Sequence, residues 1–193
     1  MTILPPTTST TSRFGGKGFT LIELIVVILL LGILAVSIGS RFDSGGYGEY
    51  TYQARLISAL RNMQQRAMQD TRVGYCFQMN FDSASPAFGP PALRYAADTA
   101  AERTATCSAT IDYTGPEYLR TTPTEMAKDG VTMKTLTSAS NAFSWLGFDS
   151  LGRPLTNEGI ANTDSCQSGC VVQFNGEQRV SVCIEAEGYI HAC

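Results

Sequence analysis

The sequence predicts an α+β fold: a long N-terminal helix, part membrane anchor and part amphipathic, packed on a mostly antiparallel β-sheet with a disulfide-tied C-terminal region. Three observations predict it. Residues 19–40 are apolar almost throughout. Apolar residues then recur at helical spacing from Tyr52 to Ala67. From residue 73 onward, short strand-like runs are separated by Pro, Gly, Ser and Thr. The chain has 193 residues, 44% hydrophobic and 16% charged, enough for one modest globular domain plus an anchor and unlike a disordered composition. Its formal net charge of −3 comes without a Lys/Arg cluster, so neither nucleic acid nor an anionic surface is an expected partner.

Residues 1–18, MTILPPTTSTTSRFGGKG, contain no apolar run long enough for the core of a secretory signal. The run FTLIELIVVILLLGILAVSIGS that follows would rise roughly 30 Å as a helix, about the thickness of a bilayer core. Its β-branched content also fits a buried strand, but strands rarely reach this length, so helix is the expectation. Arg13 and Lys17 precede the run without an acid, whereas Arg41 is soon followed by Asp43 and Glu49. Positive-inside logic puts the N-terminal flank in the cytoplasm and the C-terminal domain outside the inner membrane. Glu23 is the anomaly. A carboxylate at the centre of a membrane helix costs about 2.5–3.5 kcal/mol, less near the interface. Either a cation offsets that cost, such as an amino group freed at Phe19 by cleavage, or Glu23 snorkels to the headgroups.

Gly18-Phe19-Thr20-Leu21-Ile22-Glu23 followed by a long apolar helix resembles the processing motif of type IV pilins and pseudopilins. The resemblance implies a type IV pilin-like fold, cleavage after Gly18 by a membrane prepilin peptidase, and N-methylation of Phe19. Glu23 then matches the acidic residue that pairs with the new amino terminus during assembly. Loss of Arg13 and Lys17 with the leader would shift the charge by two, from −3 to −5. The implied partners are the prepilin peptidase, other major and minor pilins, the inner-membrane assembly platform and the membrane itself. The implied location is the inner membrane as a single-pass protein with a periplasmic domain, then the filament. The proline many pilins carry near the end of the first apolar stretch is absent, with Ser40 close to that place, which leaves a kink there undetermined.

The expected organisation is a leader at 1–18, a transmembrane and assembly helix at 19–42, a hinge and amphipathic helix at 43–72, and a β-rich domain at 73–193. Gly45, Gly46 and Gly48 each lower helix propensity by about 1 kcal/mol relative to Ala, so a break is expected before the second helix. Tyr52, Leu56, Leu60, Met63 and Ala67 give that helix, over about 49–70, an apolar stripe that docks on a sheet. Strands are expected near 74–81, 107–113, 130–136 and 143–148, with residues 83–106 a long surface loop. Asn175-Gly176 between apolar alternations predicts a hairpin. A three-residue loop pairing Val172 with Val180 and Cys170 with Val182 keeps one face apolar.

All six cysteines follow the apolar run and are even in number, as in an exported, oxidised domain. Short loops favour Cys76 with Cys107, Cys166 with Cys170, and Cys183 with Cys193. Phe148-Asp149-Ser150-Leu151-Gly152-Arg153-Pro154 and the following hairpin resemble the terminal sheet of minor pilins related to the type II secretion H pseudopilin. With the helix QARLISALRNMQQRAMQDT and the ending VCIEAEGYIHAC, the resemblance is greatest to MSHA-type minor pilins. Read from the residues alone, the same segment is a strand and a Gly-containing turn.

Chemistry for an enzyme is not visible: no phosphate-binding loop, nucleophile elbow or metalloprotease motif occurs, and the one histidine is His191. Cys166-x-x-x-Cys170 has no second ligand pair at zinc spacing. No catalytic residue, metal or cofactor is expected. Tyr47, Tyr50 and Tyr52 fit an interfacial or locally packed position better than a ligand platform. The expected function is a minor pilin that enters or initiates an MSHA-type pilus for surface attachment. A type II secretion pseudopilin is the close alternative, and a pilus-borne glycan-binding adhesin, contacting its ligand through residues 83–106, a more distant one.

Overall fold

A computed structural model describes residues 19–39, 47–70, 72–156 and 166–193. The chain divides into two compact units, Met1–Asp43 and Ser44–Cys193. The expected leader with Gly18, the position of Ser40, and the glycine-rich stretch up to residue 46 lie outside the described residues.

The first unit contributes α1, Leu21–Gly39. It begins where Thr20 supplies a cap, its Oγ1 accepting the Glu23 backbone N–H at 3.3 Å. The second unit opens with α2, Gly48–Gln69, which buries Tyr52, Leu56, Ala59, Leu60, Met63 and Ala67 along one stripe. Spacings of three and four put these residues on one face, and each large apolar side chain fully buried there contributes about 1.5–3 kcal/mol. The stripe packs across two four-stranded antiparallel sheets. One has the order β2-β1-β4-β5, formed by β1 (Gln78–Asp82), β2 (Ala87–Gly89), β4 (Trp145–Phe148) and β5 (Pro154–Thr156). The other has the order β3-β6-β7-β8, formed by β3 (Thr132–Thr137), β6 (Cys170–Asn175), β7 (Arg179–Ile184) and β8 (Ile190–Ala192). Two short helices, α3 (Ala100–Thr104) and α4 (Pro123–Lys128), lie in the connections. The fold is α+β, with a helix on antiparallel sheets, and its strands form two sheets rather than one.

Three expectations are corrected. Residues 107–113 are not a strand. The buried amides of Gln78 and Asn80 donate to the carbonyls of Ser108 and Thr110, satisfying that backbone without a ladder. Residues 83–106 are not one loop, since β2 pairs with β1, Phe88 is buried, and α3 forms where Thr99 Oγ1 accepts the Glu102 N–H. The hairpin has a three-residue loop, but it is Gly176-Glu177-Gln178, so Phe174 pairs with Val180 and Val172 with Val182. That register lies two residues from the expected one and keeps the same face apolar.

The reason for the slip is Glu49. It sits in the first turn of α2, only 2% exposed, and its Oε1 accepts the Gln178 N–H at 2.9 Å. A Cβ on Gly176 would stand 2.2 Å from that oxygen, so the glycine provides room for the carboxylate and not a left-handed turn. Further polar anchors run along the helix. Gln53 Nε2 donates to Ser181 O at 2.6 Å, the Tyr52 hydroxyl to Asp129 at 2.6 Å, and Arg61 to Ile190 O at 2.7 Å. Gln64 Nε2 reaches both Gly152 O, at 2.8 Å, and Gly188 O, at 2.7 Å, clasping the β4–β5 and β7–β8 turns together.

Glu49→Ala is expected to destabilise the domain by about 1–3 kcal/mol, the usual cost of a buried donor left without its acceptor. Gly176→Ala is expected to cost a similar amount in the wild-type background and far less in Glu49→Ala. Urea unfolding of the four proteins of this cycle measures the coupling. Simple additivity would show that the two residues act separately.

Candidate assembly site

The chemistry singled out by the sequence lies at the start of α1. Phe19 is 83% exposed and precedes the helix. The Glu23 N–H is shared between Thr20 Oγ1, at 3.3 Å, and Thr20 O, at 3.1 Å, while Leu24 N–H donates to Thr20 O at 3.2 Å. Thr20-Leu21-Ile22-Glu23 thus has the spacing of a capping box, with the threonine half of the reciprocal pair formed. The helix macrodipole favours a carboxylate at this end. Among the described residues, the Glu23 carboxylate has no hydrogen-bond or ion-pair partner. Around it, the large apolar side chains from Leu21 to Leu34 are all exposed within the chain. A helix apolar on every side needs a cover of lipid or other helices.

Among the described residues no helix is long and apolar enough to cross a membrane. The described side chains of α1 stop at Leu34, while the backbone stays helical to Gly39. The full apolar length is therefore a property of the sequence, in which residues 35–39 carry no charge.

One comparison bears on this end of the chain. Residues 14–39 match the prokaryotic N-terminal methylation motif. This motif is the signal of type IV pilins and pseudopilins, and it implies a membrane-anchored N-terminus, processing by a prepilin peptidase and assembly with other pilins. No curated protein and no solved structure matches the chain.

In the second unit the cysteines pair as Cys76–Cys107, Cys166–Cys170 and Cys183–Cys193, with Cα atoms 4.9, 5.1 and 5.9 Å apart. Each is set by local structure: Cys107 ends a 3-10 turn, Cys166 opens another and Cys170 begins β6, and Cys193 follows β8 beside β7. His191 is half-exposed, its ring stacked on Tyr189 and its Nε2 3.0 Å from Glu185 Oε1. Among the tyrosines near the start of α2, Tyr47 and Tyr50 are exposed, whereas Tyr52 belongs to the core.

The segment 148–154 forms the β4–β5 turn. Asp149 Oδ1 accepts the N–H groups of Leu151, at 2.9 Å, and Arg153, at 2.8 Å, while Oδ2 takes the Arg153 guanidinium at 2.8 Å. Burial acts to raise the Asp149 pKa, but the bonds from Arg153 and Leu151 together outweigh it and hold the carboxyl below the usual 3.8. The folded state therefore prefers the carboxylate. The stabilisation is present above the unfolded-state value and is lost as pH falls through the lower folded-state value. Asp70 and Asp112, lowered chiefly by hydrogen bonds from Arg72 and Thr114, act in the same direction. Thermal unfolding from pH 7 to pH 2 is expected to show Tm falling below about pH 4. Asp149→Asn should have a lower Tm at neutral pH and a shallower acid decline, the two curves converging near pH 2.

Proposed function

We propose that the chain is a minor pilin of an MSHA-type filament, similar to MshC, made as a precursor and incorporated through packing of its N-terminal helix. A prepilin peptidase cuts between Gly18 and Phe19, removing the leader at 1–18, and the new amino group of Phe19 is methylated. Residues 19–42 hold the subunit in the inner membrane as a single pass with the N-terminus cytoplasmic. After a hinge and amphipathic helix at 43–72, residues 73–193 are the periplasmic domain, which is later displayed on the filament.

The observation that carries this reading is the unpartnered carboxylate of Glu23 on a helix with an uncovered apolar surface. Cleavage after Gly18 creates a cation four residues away in sequence. In a bundle of identical or related helices, the Glu23 of one subunit meets the Phe19 amino group of another, and the apolar faces cover one another. At low dielectric such a pair offsets the burial of both charges only when geometry holds them close, which gives the contact value for register as well as affinity.

A pseudopilin of type II secretion, resembling the H subunit, is the second reading. It is favoured by the same motif and by the Asp149-braced turn followed by the β6–β7 hairpin. The two separate by phenotype. Loss of cell attachment with intact secretion in a deletion strain supports the pilus, and the reverse result supports the secretion apparatus.

Mass spectrometry of the mature protein is expected to give a chain beginning with methylated Phe19, and an intact leader would refute the processing scheme. Glu23→Ala should be cleaved and inserted normally but recovered in sheared filaments at least tenfold less than wild type. Normal recovery would remove Glu23 from assembly.

A further inference from the structure

In the second unit, Cys76, Gln78 and Asn80 alternate with Phe77, Met79 and Phe81, which belong to the core. In extended chain, alternate residues share a side, so the first three lie together on the side away from that core. Residues 106–110 cross this side without joining either sheet. We propose that Gln78, Asn80 and Thr106 are positioning residues for disulfide formation, holding residues 106–110 in register so that Cys107 meets Cys76 before their bond closes.

The contacts run in step. Thr106 Oγ1 accepts the Cys76 N–H at 3.0 Å and donates to Arg103 O at 2.6 Å, which ties the turn bearing Cys107 to Cys76. Gln78 Nε2 donates to Ser108 O at 3.2 Å, and Asn80 Nδ2 to Ser108 O at 2.9 Å and Thr110 O at 2.8 Å. Gln78 Nε2 also donates to Asn80 Oδ1 at 2.8 Å, which fixes the orientation of the Asn80 amide. Positions 76, 78 and 80 thus meet positions 106, 108 and 110 in a ladder made largely by side chains. Gln78, Asn80 and Thr106 are each at most 5% exposed, so water competes little for these bonds. None of them passes through sulfur, and the register therefore does not need the disulfide.

The other two pairs lie closer along the chain. Cys166 and Cys170 are 4 residues apart and Cys183 and Cys193 are 10 apart, whereas 31 separate Cys76 from Cys107. Closure probability falls roughly as the −3/2 power of loop length, so chance encounter of Cys76 with Cys107 is about fivefold rarer than that of Cys183 with Cys193. A ladder that forms first turns this distant encounter into a local one at high effective concentration.

Exposure assigns the order of steps. Cys107 is exposed and Cys76 half-buried. The Cys107 thiolate attacks a small donor disulfide, such as glutathione disulfide, forming a mixed disulfide and displacing one thiol. The Cys76 thiolate, held alongside, attacks the Cys107 sulfur and displaces the second. The two cysteines give up two protons and two electrons, and the donor disulfide is reduced to two thiols.

The test refolds the reduced full chain from urea into detergent with glutathione disulfide, quenches by alkylation, and follows each pair by mass spectrometry. Relative to Cys166–Cys170, the Cys76–Cys107 bond is expected to close about tenfold faster during folding than in urea. Thr106→Val and Asn80→Ala should each slow it about fivefold, with the other two pairs within about twofold of wild type, while Thr106→Ser keeps the hydroxyl and the wild-type rate. Glutathione should mark Cys107 in Cys76→Ser faster than it marks Cys76 in Cys107→Ser. The proposal fails if folding gives Cys76–Cys107 no advantage or if Thr106→Val and Asn80→Ala leave its rate unchanged. It also fails if they slow all three pairs alike, since that is general loss of folding and not positioning of one pair. Faster marking of Cys76 overturns the order of steps. None of these outcomes depends on filament incorporation, so each is separable from the assembly role.

Discussion

The domain depends on one amphipathic surface, the stripe of α2 from Tyr52 to Ala67. Two small sheets, each with strands of three to six residues, cannot bury enough apolar area alone. The helix supplies a shared wall for both, so Met79 and Leu146 of one sheet and Val172, Phe174 and Val182 of the other belong to the same core. Its polar residues then do what an apolar stripe cannot. Burial is non-directional, whereas Glu49 with Gln178, Gln53 with Ser181, and Gln64 with Gly152 and Gly188 each specify where along the helix a particular turn must sit. At Gly188 this fit is close enough that a Cβ would stand 2.1 Å from the Gly152 carbonyl oxygen.

The two units use apolar residues for opposite ends. In α2 the apolar stripe is narrow and satisfied within the chain, so that helix is complete as a structural element. In α1 every large side chain described is exposed, and the acid at its start has no partner among the described residues. The first helix is therefore a surface in search of neighbours, and the second a scaffold for the domain that travels with it. The methylation motif spans the first helix and implies assembly with other pilins.

What was legible in the sequence was local. The apolar run, the stripe of α2 and the Cys166–Cys170 and Cys183–Cys193 loops follow from residues near one another along the chain. What was not legible came from side chains acting across long separations. Residues 107–113 have strand-like composition, but their carbonyls are taken by Gln78 and Asn80, some thirty residues earlier. Asn175-Gly176 has the composition of a tight turn, but Glu49, 129 positions from Gln178, moves the loop by one residue and the pairing by two. The expectation for Gly18, Phe19 and Glu23 rests on six consecutive residues of the sequence, within the stretch that matches the methylation motif.

The bridge between Cys76 and Cys107 has a mechanical side. Tension drawn through α2 into the domain reaches Cys76 first, just before β1. From there the covalent shortcut passes directly to Cys107, so residues 77–106, with β1, β2 and α3, lie outside the shortest covalent path. Extension along the backbone from α2 is therefore limited by that bond, since the thirty residues it encloses cannot pay out while it is intact.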